Sequence, residues 1–235
     1  MGAIFRFKQF AVDQGNCAMK INTDGVLLGA FAQQQAAVRI LDIGTGTGVI
    51  ALMLAQSHPQ AMVDAVEIDP EAADQAAENF RQAPFADRLR LFAGSFVAMQ
   101  PGSSYDLIVS NPPFYTNSLH NPDQRKKLAK HTDHLFFESL IDFVDMHLAA
   151  SGRFLCIVPT ALADELLLDF LPVRQLYVQQ ELAISSFPGG SPIRKLLSIG
   201  RESVQTEHAA LAIYEQKGVY TAAYKALLSP YFLAF

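Results

Sequence analysis

Tryptophan is absent from this 235-residue sequence, cysteine occurs twice, and only 17% of the residues carry charge. Each scarcity excludes something. Cys17 and Cys156 lie far apart, match no CxxC pattern, and read as free thiols in a reducing cytoplasm. Long apolar runs are missing too. Val49 to Ala55 is the longest unbroken one, far short of the ~20 residues a membrane-spanning helix needs, so no membrane is expected. Arg6 and Lys8 interrupt any signal-like apolar segment, and Arg6 occupies the place where an N-myristoylation motif requires Ser or Thr. No repeat, low-complexity tract or polar linker divides the chain. Half of the residues are hydrophobic and the mean hydropathy is slightly positive, +0.16, which excludes a wholly disordered chain. The net charge of −5 gives no bulk indication of nucleic acid.

What is present is alternation. Apolar runs at 39–43, 62–68, 88–93, 105–110 and 152–158 predict buried strands. Between them, 49–56 and the segment opened by Asp69-Pro70-Glu71 predict helices, the latter with Ala72, Ala73, Ala76, Ala77 and Phe80 at helical spacing. A loop is expected at 115–130 and a helix at about 133–149. Another helix follows at 161–170. Runs at 174–184 and 195–200, separated by Phe187-Pro188-Gly189-Gly190, predict an antiparallel pair at the sheet's edge. This pattern gives an α/β fold with helices on both faces of a mostly parallel sheet. Residues 1–35 read as an N-terminal extension, in which Thr23-Asp24-Gly25 caps a helix reaching Gln33, and 36–235 read as the main domain.

Asp42-Ile43-Gly44-Thr45-Gly46-Thr47-Gly48 leaves the first core strand and opens a helix. Glycines let a backbone approach a ligand closely, and a helix N-terminus offers free N–H groups. The spacing is G-x-G-x-G, not the G-x-G-x-x-G of dinucleotide sites. An acid at Asp42 repels a pyrophosphate but suits an amino acid's ammonium, while Glu67, closing the second strand, stands where a ribose-binding acid belongs. An adenosyl ligand with a cationic tail fits this set better than a nicotinamide dinucleotide. The plainer alternative is a tight strand-to-helix turn.

Asn111-Pro112-Pro113-Phe114 follows the fourth core strand, at the edge where open α/β sheets bind ligands. The tetrapeptide resembles the Asn/Asp/Ser-Pro-Pro-Phe/Tyr signature of methyltransferases acting on nitrogen in a planar system. That resemblance implies an exocyclic amine as target, a poor nucleophile because its lone pair is delocalised. The Asn111 side-chain oxygen and the Pro112 carbonyl supply two acceptors for its N–H groups, prolines stiffen the frame, and Phe114 offers a face for stacking. These residues give the catalytic set Asn111, Pro112, Pro113 and Phe114.

The two motifs together resemble class I S-adenosylmethionine-dependent methyltransferases that modify nitrogen in a planar group. The resemblance implies a Rossmann-like, seven-stranded, mostly parallel sheet with an antiparallel edge strand, and S-adenosylmethionine as cofactor. It implies cofactor contacts from Asp42, Gly44, Thr45, Gly46, Gly48, Glu67 and Asn111, with Ser95 and Phe96 near the adenine. Asp69 is a weaker ribose candidate and reads better as a helix cap. Over nearly the whole chain, 7–10, 20–30, the tetrapeptide with its basic loop, and 187–190 with Arg194 are similar to the bacterial tRNA1(Val) adenine-37 N6-methyltransferases. That similarity adds Thr23 and Asp24 to the cofactor contacts and makes tRNA the expected partner, with no obligate protein partner evident. Phe114, Tyr115, Arg125, Lys126, Lys127, Lys130 and Lys8 are the candidate RNA contacts, together with the aromatic and basic N-terminal stretch. His131 and His134 lack further ligands at metal spacing, so no metal is expected. Guanine N2 in ribosomal RNA, a protein glutamine amide, or a silent RNA-binding scaffold are the competing readings.

Overall fold

The computed structural model describes residues 4–15, 20–113 and 122–235; for 122–133 it gives the course of the backbone alone. In chain order the elements are β1 (Ile4–Arg6), β2 (Ala11–Asp13), α1 (Thr23–Ala32), β3 (Arg39–Ile43), α2 (Val49–Ser57), β4 (Met62–Glu67), α3 (Pro70–Gln82), β5 (Leu89–Ala93) and β6 (Tyr105–Ser110). There follow α4 (Pro122–His147), β7 (Leu148–Pro159), α5 (Thr160–Glu165), β8 (Tyr177–Ser185), β9 (Arg194–Gly200), β10 (Glu207–Ala212), β11 (Tyr214–Gln216), β12 (Val219–Tyr220) and α6 (Ala222–Leu228).

The central sheet has eight strands in the order β10-β8-β9-β7-β6-β3-β4-β5. The expectation of seven strands is therefore corrected by β10, which pairs parallel to β8. The antiparallel member is also misplaced by the sequence reading. β9 runs against both β7 and β8 and lies inside the sheet, while the edge belongs to β10. Leu41, Ile43, Val63, Val66, Leu107 and Ile108 are fully or almost fully buried, as strands covered on both faces require. From β3 the chain moves outward through β4 and β5, then returns to the other flank of β3 with β6. The strand order thus reverses beside β3, and ligands bind at the carboxyl ends of strands around such a reversal.

Helix boundaries follow local chemistry. Asp69 caps α3 through a bond from the Ala72 N–H, with Pro70 in the first turn. Asn22, not the Thr23-Asp24-Gly25 trio, caps α1, its side chain accepting from the Gly25 N–H. The basic segment expected as a loop is helical from Pro122 onward. Pro122 suits a first helical position, and the run Gln124 to Lys130 is rich in strong helix formers. The charge density hid that propensity.

Phe7 and Phe10 stack at 4.4 Å and lie in the core, and Phe7 also meets Phe232. Lys8 donates to the carbonyls of Ser229 and Phe235. The N-terminal aromatic and basic stretch therefore clamps the C-terminal segment. α1 packs on α2 and shares its core cluster.

Arg88 performs a comparable service for α2. Its guanidinium donates to the carbonyls of Ala55 (2.7 Å), His58 (2.9 Å) and Ala61 (3.1 Å), closing the helix's C-terminal end. A cation there meets both orphan carbonyls and the negative end of the helix dipole. Arg88→Ala is expected to lower stability by about 2–3 kcal/mol, read as an earlier midpoint in urea unfolding. An unchanged midpoint would contradict this role.

Candidate active site

A cleft of about 730 Å³ opens at the carboxyl ends of β3, β4, β5 and β6. Ile43, Gly44 and Gly46 line it from the glycine loop, Glu67, Ile68 and Asp69 from the end of β4, and Gly94, Ser95 and Phe96 from the segment after β5. Ser110, Asn111, Pro112 and Pro113 close another side, and Leu135, Phe136 and Ser139 of α4 form the far wall.

The loop's shape is set by backbone conformation. Gly44, Gly46 and Gly48 have φ of 73°, 55° and 83°, a region side chains disfavour. Their reasons differ. A Cβ on Gly44 or Gly46 would meet nothing within 4 Å, so the backbone there faces open space suited to a ligand, whereas one on Gly48 would lie 2.5 Å from Phe80. Gly48 serves packing. The Gly44 and Thr45 N–H groups bond to the Val66 carbonyl, tying the loop to β4.

Two carboxylates hold the loop from different sides. Glu67, almost buried and lining the cleft, accepts from the Gly46 N–H at 2.8 Å and the Asp69 N–H at 2.9 Å. Each of its oxygens keeps a further lone pair able to accept from a hydroxyl. Asp42 lies beneath the loop without exposure to water. Its Oδ2 accepts from the Thr45 hydroxyl at 2.6 Å and the Ala51 N–H at 3.2 Å, while Oδ1 has no hydrogen-bond partner among the described residues. Burial raises its pKa to about 7, with the nearby Glu67 charge adding to the effect against the two hydrogen bonds.

Asn111 follows directly on β6, where the Ser110 hydroxyl bonds to the Ile43 carbonyl at 3.0 Å and fixes the strand exit against the loop. The Asn111 amide nitrogen lies 3.7 Å from the position a Cβ would take on Gly25, so the first turn of α1 backs onto it. Ser95 starts the turn after β5 with no hydrogen bond from its side chain to that turn. Phe96 stands edge-on to Phe136 and Phe143.

The structure separates the expected residues into groups. Gly44, Gly46, Glu67, Ser95, Phe96, Asn111, Pro112 and Pro113 converge on the cleft; Asp42, Thr45 and Gly48 support it from below. Thr23 and Asp24 do not line it. Asp24 pairs with Arg194 at 2.8 Å, joining α1 to the start of β9. Phe114 and Tyr115 lie outside the described residues, as do the side chains of Arg125, Lys126, Lys127 and Lys130, and Cys17. Cys156 is buried, which pushes its thiol up to about 12. Among the described residues no three metal-ligating side chains gather.

Sequence reasoning passed over Ile68, Val97, Leu135 and Phe136. Ile68 is 72% exposed beside the ligand-facing Glu67. The sequence offers no signal for it, because Ile68 ends the apolar run 62–68 and its exposure arises only in the fold.

A model of the methyltransferase small domain matches residues 17–168. The chain belongs to the methyltransferase small domain family. Among its relatives, a Pedobacter heparinus protein named tRNA1(Val) (adenine(37)-N6)-methyltransferase is 49% identical over 231 residues, covering 98% of both chains. A Bacteroides thetaiotaomicron protein of the same name is 42% identical over 230 residues, 97% of both. Among solved structures, an Agrobacterium tumefaciens protein described as a predicted O-methyltransferase superposes with a TM-score of 0.68 at 18% identity, covering 88% of this chain and 96% of that one. This last likeness shows the shared fold. The family match spans the glycine loop, Glu67 and Asn111, the parts that build the cleft.

The buried Asp42 carries a pH signature. Its carboxyl is held up near 7 in the fold and titrates near 3.8 when unfolded, so its contribution to stability is full below about pH 4 and lost as pH rises toward 7. Three units correspond to a loss on the order of 4 kcal/mol. In ligand-free thermal unfolding between pH 4 and pH 8, the wild type is expected to lose stability relative to Asp42→Asn up to about pH 7 and then run level. Parallel pH profiles would contradict the assignment.

Proposed function

We propose that this protein is a cytoplasmic enzyme that transfers a methyl group from S-adenosylmethionine to N6 of an adenine in tRNA, at position 37 of tRNA1(Val). The placement of Asn111 and Pro112 on the same cleft as the glycine loop carries this reading, and relatives of that name across the full chain support it. Among the described residues no helix is long and apolar enough to cross a membrane.

The cleft suits the cofactor on its own chemistry. Glu67 offers acceptors to ribose hydroxyls, and the open backbone at Gly44 and Gly46 takes the methionyl part. The unpartnered Asp42 oxygen supplies negative charge for an ammonium through the loop. Ile68, Phe96 and Leu135 give the adenine apolar faces. When bound, S-adenosylmethionine supplies an electrophilic methyl on a sulfonium.

The chain's own task is orientation. A target adenine enters the cleft after leaving its stack. The Asn111 side-chain oxygen and the Pro112 carbonyl each accept one N–H of the exocyclic amine, which draws the nitrogen out of conjugation and turns its lone pair toward the methyl. The bound cofactor would supply the methyl and keep the carbon–sulfur electron pair, and the amine would lose its surplus proton to water. No strong base is required, because the alkylated nitrogen is acidic. Holding both reactants in line accounts for up to about 7–11 kcal/mol of barrier lowering. Residues 1–35 serve as an extension that seats α1 against Asn111, with 36–235 as the catalytic domain. Arg125, Lys126, Lys127 and Lys130, at the start of α4, contact the RNA backbone, and Phe114 and Tyr115 flank the base.

Asn111→Ala is expected to lower kcat on unmodified tRNA by at least about 100-fold while S-adenosylmethionine binding, measured by calorimetry, changes less than about threefold. Normal turnover in this variant would sink the mechanism.

A further inference from the structure

The connection between β8 and β9 carries bare apolar side chains. Residues 187–193 are all exposed, Phe187 at 43% and Ile193 at 46%. The segment is braced nonetheless. The Phe187 carbonyl accepts from the Ser185 hydroxyl and the Gly190 N–H, and the Pro192 carbonyl accepts from the Thr160 hydroxyl at 3.0 Å. Arg194 at its base is tied to Asp24 of α1. Gly189 takes φ of 72°, and a Cβ on Gly190 would lie 3.0 Å from the Phe187 carbonyl, so the turn requires its glycines. The ring of Phe187 lies 6.0 Å from that of Tyr214. This is a stiff turn that holds the Phe187 ring by Tyr214 and leaves part of it, with Ile193, open to solvent.

Register fixes where it stands. Ser110 lies opposite Cys156 on β7, and Pro159, at the carboxyl end of β7, lies opposite Arg194 on β9. The turn therefore rises from the same end of the sheet as Asn111. Phe187 follows β8, which lies three strands from β6, a lateral offset of about 14 Å.

We propose that Phe187 stacks on an unpaired nucleobase adjoining the one that enters the cleft, making the β8–β9 turn an RNA docking element. The inference rests on the reading of RNA as substrate. A base swung out of its stack uncovers the face of its neighbour, and an aromatic ring fixed at the same end of the sheet as the cleft restores that lost contact. Stacking also needs no net positive charge, which matches this patch: Arg194 pairs with Asp24, and Lys195 is bridged by Asp164 and Glu181.

The test uses the full-length protein and an unmodified tRNA1(Val) transcript, comparing wild type, Phe187→Ala, Phe187→Tyr and Val173→Ala. Val173, exposed just before β8, lies at the opposite end of the sheet. Phe187→Ala is expected to raise the transcript's Kd and KM about tenfold or more, with kcat at saturation and the Kd for S-adenosylmethionine unchanged. Phe187→Tyr should retain wild-type affinity, and Val173→Ala should match wild type. If the wild type methylates the transcript and Phe187→Ala binds it equally well, the docking role is wrong. A loss in which cofactor affinity falls alongside, or one that Tyr does not restore, also overturns it. A wild type that methylates a glutamine-containing protein and no RNA overturns the functional reading first, and this inference with it.

Discussion

The carboxylate of Asp42, cut off from water beneath a glycine loop, is the constraint on which the site depends. Its Oδ2 fastens the Thr45 hydroxyl and the first turn of α2, so the loop cannot move without breaking bonds to a buried acid. Burial at this position costs free energy, as the rise of its pKa to about 7 records. A neutral residue of the same shape would hold the loop at lower cost.

Glu67 completes the frame from the exposed side. One oxygen holds Gly46 and the other holds Asp69, so the end of β4 dictates both the glycine loop and the start of α3. Ser110 ties the exit of β6 to β3. Three consecutive strand ends are thereby locked in register, and Asn111 is presented to the loop by a rigid sheet. That rigidity suits a reaction in which the protein contributes mostly alignment.

How legible all this was in the sequence depended on locality. The glycine loop, Glu67 and Asn111 were readable because each sits a fixed step from a strongly apolar strand, and strand order follows from the βα alternation. β10 was not, because Glu207-His208-Ala209-Ala210 has little strand propensity and owes its conformation to pairing with β8. Asp24 was assigned to the cofactor, yet its partner Arg194 is 170 positions away, a contact that spacing cannot reveal. The N-terminal Phe7 and Phe10 looked like an RNA-facing stretch because alternation with basic residues resembles a nucleic-acid surface. In the fold the same alternation sends the rings inward and Lys8 to the C-terminal carbonyls.

The central claim is that a planar amine of adenine is the group Asn111 holds. Incubating the purified protein with labelled S-adenosylmethionine and the total RNA and protein of a strain lacking the activity, then mapping the label by mass spectrometry, addresses it most directly. The account predicts N6-methyladenosine at nucleotide 37 of tRNA1(Val). Label recovered as N2-methylguanosine in ribosomal RNA, or on a glutamine side chain, would contradict it.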